Sequence, residues 1–324
     1  MDLELLRERA CIIQSVRSFF ARKNYLETDT PLLSPDLIPE SCLEVFETMR
    51  IWPHGSKNEA KKYWLIPSPE IWMKKLISKH KTNIYQICKC FRNGESSGFL
   101  HSPEFTMLEY YTMNADYLDS IKVTEEMFSF LLAGLSVTLP ELEPPFERIT
   151  YNEAFIRYAG FDLLETAAIK EKLQKEAQRL GLDPPIETAI PELTDLIFIH
   201  AVEPNLPRNK PVVLIDYPAF IPCLAKKSLS GLTTERWELY INGIELANCY
   251  SEETDPQEVR RFFEKEKSAK EKNSLVNHNI DPEYWKIFDS FPVSSGVALG
   301  LDRLIMALTG RKSIDAVLPL LLNK

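Results

Sequence analysis

The chain has 324 residues, 44% apolar and 26% charged, and a net charge of −9 from 38 basic and 47 acidic side chains. That composition suits a globular protein with a substantial core, and it argues against a broad nucleic-acid footprint, which needs a basic surface. No apolar run reaches the roughly 18 residues of a membrane span. The charged, amphipathic start "MDLELLRERACIIQSVRSFF" lacks the marks of a signal peptide, so a cytoplasmic protein is expected.

Apolar residues recur at helical spacing through residues 2–23, which predicts an amphipathic helix stopped near Asn24. "LETDTPLLSP" then reads as extended, because residues before proline avoid the α region. "YWLIP" predicts a short strand, and Pro69 at the first helical position with Glu70 beside it opens a helix over "PEIWMKKLISKH". "NIYQICKCFR" and "EFTMLEYY" form a strand–loop–strand hairpin. Helices are expected over 115–135 and 150–180, and a helical, proline-containing insertion over 140–210. Strands return in "PVVLIDYP", "ERWELYINGIELANCYSEE" and "SGVALGL", with a charged helix over 255–272 between the last two. Antiparallel strands with irregularly spaced helices define an α+β fold, read as one domain over residues 1–324.

Two scattered features carry less chemistry. The six cysteines lack the paired C-x-x-C spacing of a zinc site and read as reduced, buried thiols. From Ile71 to Arg92 there is no acid, while Lys74, Lys75, Lys79, Lys81, Lys89 and Arg92 accumulate. That stretch is a candidate docking surface for an anionic ligand or protein.

Three stretches carry more. Alternation along "EFTMLEYY" puts Phe105, Met107, Glu109 and Tyr111 on one face. A core strand should not bury Glu109 unpaired, whereas a pocket wall could use it. Arg92, across the loop, has the forked guanidinium that suits a phosphate or carboxylate. In "WELYINGIELANCYSEE" the pair Asn242-Gly243 predicts a two-residue type I′ turn, with Tyr240 opposite Glu245 and Glu238 on the same face. Two such acids repel, and an oxygen-ligated Mg²⁺ shared with phosphates would relieve them. Asn248, Tyr250 and Glu252 have the opposite parity, so they reach that face only through a bulge near 246–248. In "SSGVALGLDRL" Gly296, Ala298 and Gly300 leave one strand face nearly bare, and Arg303 enters the first turn of the next helix. A cation there implies an anion nearby. Two arginines, a stacking ring, a metal-ready acid pair and a spare acidic pocket suit Mg·ATP beside a small cationic substrate.

These residues resemble the signature motifs of class II aminoacyl-tRNA synthetases of the lysyl branch. "NYLETDTPLL" looks like motif 1, "FRNGESSGFLHSPEF" like motif 2 and "GVALGLDRL" like motif 3, while "SPEIWMKKL" and "NGIELANCYSE" are similar to lysine-binding segments. The resemblance implies an antiparallel sheet flanked by helices and a homodimer built partly on motif 1. It implies that Arg92 grips the α-phosphate and attacking carboxylate, that Phe105 stacks on adenine, and that Arg303 meets the γ-phosphate. Asn93, His101 and Gly300 join the ATP site, and Glu238 with Glu245 hold Mg²⁺. Glu70, Tyr111 and Glu252 would hold the substrate's side-chain ammonium, with Glu109, Asn248 and Tyr250 completing that pocket. No N-terminal OB-fold for reading an anticodon is expected. Ser68, Ala298, and Gly94 with Glu95 depart from lysyl-tRNA synthetase as the elongation factor P β-lysine ligase family does. Ser102 departs from that family, which usually has asparagine there. The implied activity is ATP-dependent activation of (R)-β-lysine or lysine, followed by transfer to a lysine of elongation factor P. No membrane partner and no tRNA binding are expected. The alternatives are a minimal lysyl-tRNA synthetase or a regulatory paralogue without catalysis.

Overall fold

The computed structural model describes residues 3–52, 60–94, 98–134 and 138–320. They fall into two units, Met1–Asn114 with Thr254–Lys324, and Ala115–Glu253. In chain order the first unit contributes α1 (Leu3–Arg22), β1 (Leu26–Glu27), β2 (Leu33–Ser34), β3 (Glu47–Arg50), β4 (Lys61–Leu65), α2 (Glu70–His80), β5 (Ile84–Phe91) and β6 (Glu104–Met113). The second unit supplies α3 (Tyr117–Ala133), β7 (Glu147–Thr150), α4 (Tyr151–Ala154), α5 (Leu163–Ala167), α6 (Lys170–Arg179), α7 (Ile190–Ile197), β8 (Val212–Pro218), β9 (Thr233–Ile241) and β10 (Ile244–Ser251). The chain then returns to the first unit as α8 (Pro256–Asn273), β11 (Ser294–Gly300) and α9 (Leu301–Thr309).

In the first unit the strands run β1–β5–β6–β11, antiparallel except for the parallel pair β1–β5. Asn24 ends α1 as expected, adopting a left-handed φ of 59°. The helix buries Phe20, whose ring stacks on Tyr85 of β5 at 4.8 Å and lies 4.9 Å from Tyr110 of β6. A buried ion pair fixes the other end of the same strand. Arg9 of α1 meets Asp302 of α9 at 2.6 Å and donates to the Thr106 hydroxyl at 3.0 Å, while Asp302 accepts from the Thr106 backbone N–H at 2.7 Å. A separate antiparallel sheet, β2–β4–β3, covers a small core of Leu37, Val45, Trp64 and Ile66.

In the second unit the order is β10–β9–β8–β7, again antiparallel except for one parallel pair, β7–β8. The strands are antiparallel as expected, with these two pairs as exceptions. A parallel pair needs a long crossover between its strands. In this unit the helical segment between β7 and β8 provides it, and its core includes Phe155, Leu193, Ile197 and Val202 against Val212 and Leu214 of β8. That is the structural work of the proline-containing insertion.

Two local expectations are corrected. Pro69 caps α2 rather than starting it, with ψ near 0 and its carbonyl accepting from the Met73 N–H at 3.0 Å. Cys11 and Cys42 are exposed, Cys11 because it lies on the outer face of α1. Only Cys90 and Cys249 are fully buried, and Cys88 and Cys223 are partly so.

Candidate functional site

The β5–β6 hairpin and β11 build one functional face in the first unit. Their register places Glu109 between Gln86 on β5 and Ala298 on β11, Tyr111 opposite Gly296, and Met107 opposite Gly300. The bare face of β11 therefore runs directly beside the residues of β6 that the sequence singled out. The stem of Arg303 lies over Gly300, where a β-carbon would stand in ordinary contact with the Arg303 Cδ at 3.5 Å. Arg303 donates to the Leu100 carbonyl at 3.5 Å, in the segment that also carries half-buried His101 and Ser102.

Arg92 follows β5. Its backbone N–H donates to the Pro103 carbonyl at 3.0 Å, and the next residue, Asn93, forms a bridge with Glu44. Its guanidinium carbon lies 5.3 Å from the Phe105 ring centre. Among the described residues no carboxylate pairs with Arg92, and its buried Nε has no hydrogen-bond partner. A structural Arg–Glu pair is thus not what holds this side chain. Glu95 lies outside the described residues.

Beside this cation the first unit gathers carboxylates. Glu109 is buried; one of its oxygens accepts from the Tyr111 hydroxyl at 2.8 Å and the other has no hydrogen-bond partner among the described residues. Burial, then the charge of Glu70, push its carboxyl well above the usual carboxylate range. Glu70, in the first turn of α2, pairs with buried Lys74 one turn on. Ser68 is half-buried in the turn before α2.

A third acid, Glu40, was not anticipated. It sits in an aperiodic turn, so no sequence pattern points to it. Lys270 of α8 donates to its carbonyl, and the next N–H, of Ser41, donates to Glu266 at 2.9 Å. Burial and the charges of Glu70 and Glu266 push the Glu40 carboxyl up to about 7, against the opposing pull of Arg92 and Lys270. The folded state therefore keeps a proton that the unfolded chain has released, so this group's contribution makes stability fall as pH rises from about 4.5 to about 7. Urea titrations across that window should show Glu40→Gln flattening the fall; an unchanged pH slope contradicts the assignment.

Lys74, Lys75 and Lys89 are engaged by Glu70, Asp281 and Glu104. The basic stretch expected over 71–92 is therefore not one free cationic surface. Its acids come from other parts of the chain, or from just outside the stretch.

In the second unit the β9–β10 hairpin turns as expected, with Asn242 and Gly243 both at positive φ (54° and 75°) and Glu245 opposite Tyr240. A bulge follows between Glu245 and Ala247. It brings Asn248 opposite Glu238 and Tyr250 opposite Arg236, onto the face that carries the two acids. Glu252, just past β10, is buried and bridges Ala225.

Glu238 is not a bare acid. One oxygen accepts from the Tyr217 and Tyr240 hydroxyls, both at 2.6 Å, and the other pairs with Arg236 at 2.5 Å. Sequence reading overlooked Arg236, although it shares strand parity with Glu238 and Tyr240. Among the described residues no cluster of three or more His, Cys, Asp or Glu could enclose a metal. Both oxygens of Glu238 are already engaged, so a hard cation here would need phosphate oxygens for most of its ligands.

Residues 3–322 match the family model for class II tRNA synthetases (D, K and N). The elongation factor P–(R)-β-lysine ligase of Avibacterium paragallinarum is 36% identical over 319 residues, covering 98% of this chain and 95% of that protein. Its namesake in Proteus mirabilis is 35% identical over 317 residues, covering 97% and 93%. With motif 2 on the β5–β6 hairpin and motif 3 on β11–α9, the chain belongs to the class II tRNA synthetases (D, K and N) and, within them, to the elongation factor P–(R)-β-lysine ligase family.

Proposed function

We propose that this protein is an ATP-dependent ligase that activates (R)-β-lysine, or lysine, as an acyl-adenylate and passes the acyl group to a lysine of elongation factor P. One observation carries the substrate class. The charge of Glu70 reaches both Glu40 and Glu109, Glu266 adds to it at Glu40, and Lys74, Arg92 and Lys270 are the cations beside them. Four acids against three cations leave a charge for a proton or a cationic ligand to neutralise. A substrate ammonium, with three N–H donors, suits the open oxygen of Glu109.

In the first step the amino-acid carboxylate attacks the α-phosphorus, the bond to the bridging oxygen breaks, and pyrophosphate leaves. Arg92 supplies a fork of donors to the oxygens where charge builds, Phe105 receives the adenine face, and Arg303 meets the terminal phosphate. Asn93, His101 and Gly300 line the nucleotide. Mg²⁺ bound with the phosphates at Glu238 and Glu245 would supply further charge neutralisation. Glu70, Glu109 and Tyr111, with Ser68 and Ala298, orient the amino acid, and Asn248, Tyr250 and Glu252 keep the substrate role that the resemblance implies for them. In the second step the neutral amine of the acceptor lysine attacks the acyl carbon, the bond to AMP breaks, and the amine loses a proton as the amide forms. We place the enzyme in the cytoplasm as a homodimer. Exposed Leu26, Leu32 and Leu33, in and beside the motif 1 segment, support a subunit contact there.

The test is to incubate the protein with ATP, Mg²⁺, unmodified elongation factor P and either α-lysine or (R)-β-lysine, then weigh the intact factor. A mass gain of one lysyl unit, larger in yield with the β-isomer, is expected. An unchanged factor alongside charged tRNA would replace the reading with a tRNA synthetase.

A further inference from the structure

Arg236 has no role in the reading above, yet it is the most constrained cation of the second unit. Its Nη2 pairs with Glu238 Oε1 at 2.5 Å, and its Nε–H donates to Asn248 Oδ1 at 3.2 Å. The guanidinium lies 4.3 Å from the Tyr217 ring centre and 5.6 Å from that of Tyr250. Its side chain is only 13% exposed. With aromatic rings against it and two donors committed, Arg236 is poorly placed to grip a ligand itself. It can act through what it holds.

Asn248 is what it holds most informatively. Arginine has only donors, so the amide oxygen of Asn248 must be the atom that faces it. The amide nitrogen then points away and donates one hydrogen to the Tyr250 hydroxyl at 3.0 Å. One N–H remains. An amide turned the other way would leave two donors facing each other and offer its carbonyl instead. The choice between a donor and an acceptor at Asn248 is therefore made by Arg236. Only a planar fork can reach Glu238 and Asn248 together; the ammonium of a lysine is a point charge.

We infer that Arg236 is a positioning residue that locks Asn248 with its N–H edge toward the amino-acid substrate, offering a donor to a carboxylate or acyl oxygen rather than an acceptor to an ammonium. The inference rests on the proposed placing of Asn248 in the amino-acid site, and it departs from the ammonium role implied for that residue by resemblance.

A double-mutant cycle read by calorimetric titration of α-lysine and (R)-β-lysine tests it. Arg236→Lys keeps a cation for Glu238 but loses the fork. It should weaken amino-acid binding about tenfold, the worth of one hydrogen bond. In an Asn248→Ala background the same change should cost almost nothing. Equal losses in both backgrounds, or wild-type affinity in Arg236→Lys, overturn the inference. Should Arg236→Lys unfold, Asn248→Asp serves in its place. Its carboxylate pairs with Arg236 and preserves the fold, but presents an oxygen where the N–H stood. It should bind the amino acid no better than Asn248→Ala, and wild-type affinity would overturn the inference. Wild-type protein that binds neither amino acid fails the proposed function itself, and this inference with it.

Discussion

Replacing Arg92 with alanine should lower the rate of amino-acid activation by about 10²-fold or more, the usual cost of deleting a donor that meets developing charge. The fold should survive. The guanidinium has no ion pair within 4 Å among the described residues and its buried Nε is unpartnered, so its removal trades the loose Phe105 contact and the distant attraction of Glu40 against a relieved desolvation cost. A thermal midpoint at or above that of the wild type, together with collapsed ATP–pyrophosphate exchange, is the expected pair of results. Arg92→Lys should fall between, since it keeps the charge without the fork. Wild-type exchange in Arg92→Ala would remove this residue from the mechanism. A large fall in the midpoint would mark it as structural.

The second large effect is on stability. Arg9→Met leaves Asp302 buried without its cation, and breaking a buried pair from one side costs about 3–5 kcal/mol. The pair is nearly dry, with side chains 9% and 2% exposed. It also ties the start of α9 to β6 through Thr106, so the loss should loosen the neighbouring residue, Arg303, and its contact with the Leu100 carbonyl. Adding Asp302→Asn should restore much of the stability, because the amide keeps an acceptor for the Thr106 N–H and removes the stranded charge. Chemical denaturation of the single and double variants checks this. Additive losses would show that the pair is not the unit of stabilisation.

How much of this was legible in the sequence depended on periodicity. The face of β6, the bare face of β11 and the β9–β10 turn follow from period-two alternation and from one Asn-Gly pair, so residue types sufficed. The bulge was legible through a conflict: Asn248 had the wrong parity for the face its chemistry suited. Lys74 was misjudged because charge was read along the chain. Four residues after Glu70, on the buried face with Ile71 and Ile77, it is a counter-charge and not surface. Arg236 had a signal that went unused, its shared parity with Glu238. Glu40 had none, for its partners Arg92, Glu266 and Lys270 stand 52 to 230 positions away in a chain that no local rule folds together.

The bulge beside Leu246 has one more consequence, for the kinds of change this strand can absorb. Substituting Leu246 alters packing but leaves the phase of the strand untouched. Deleting Leu246 would remove the extra step yet leave Ala247 opposite Leu239 and Asn248 opposite Glu238, so Asn248, Tyr250 and Glu252 would keep their face while the strand lost its local bend. Along this strand, facing is set by the partner across the hairpin and not by counting along one chain, so a single deletion here is expected to cost less than a polar substitution at Asn248.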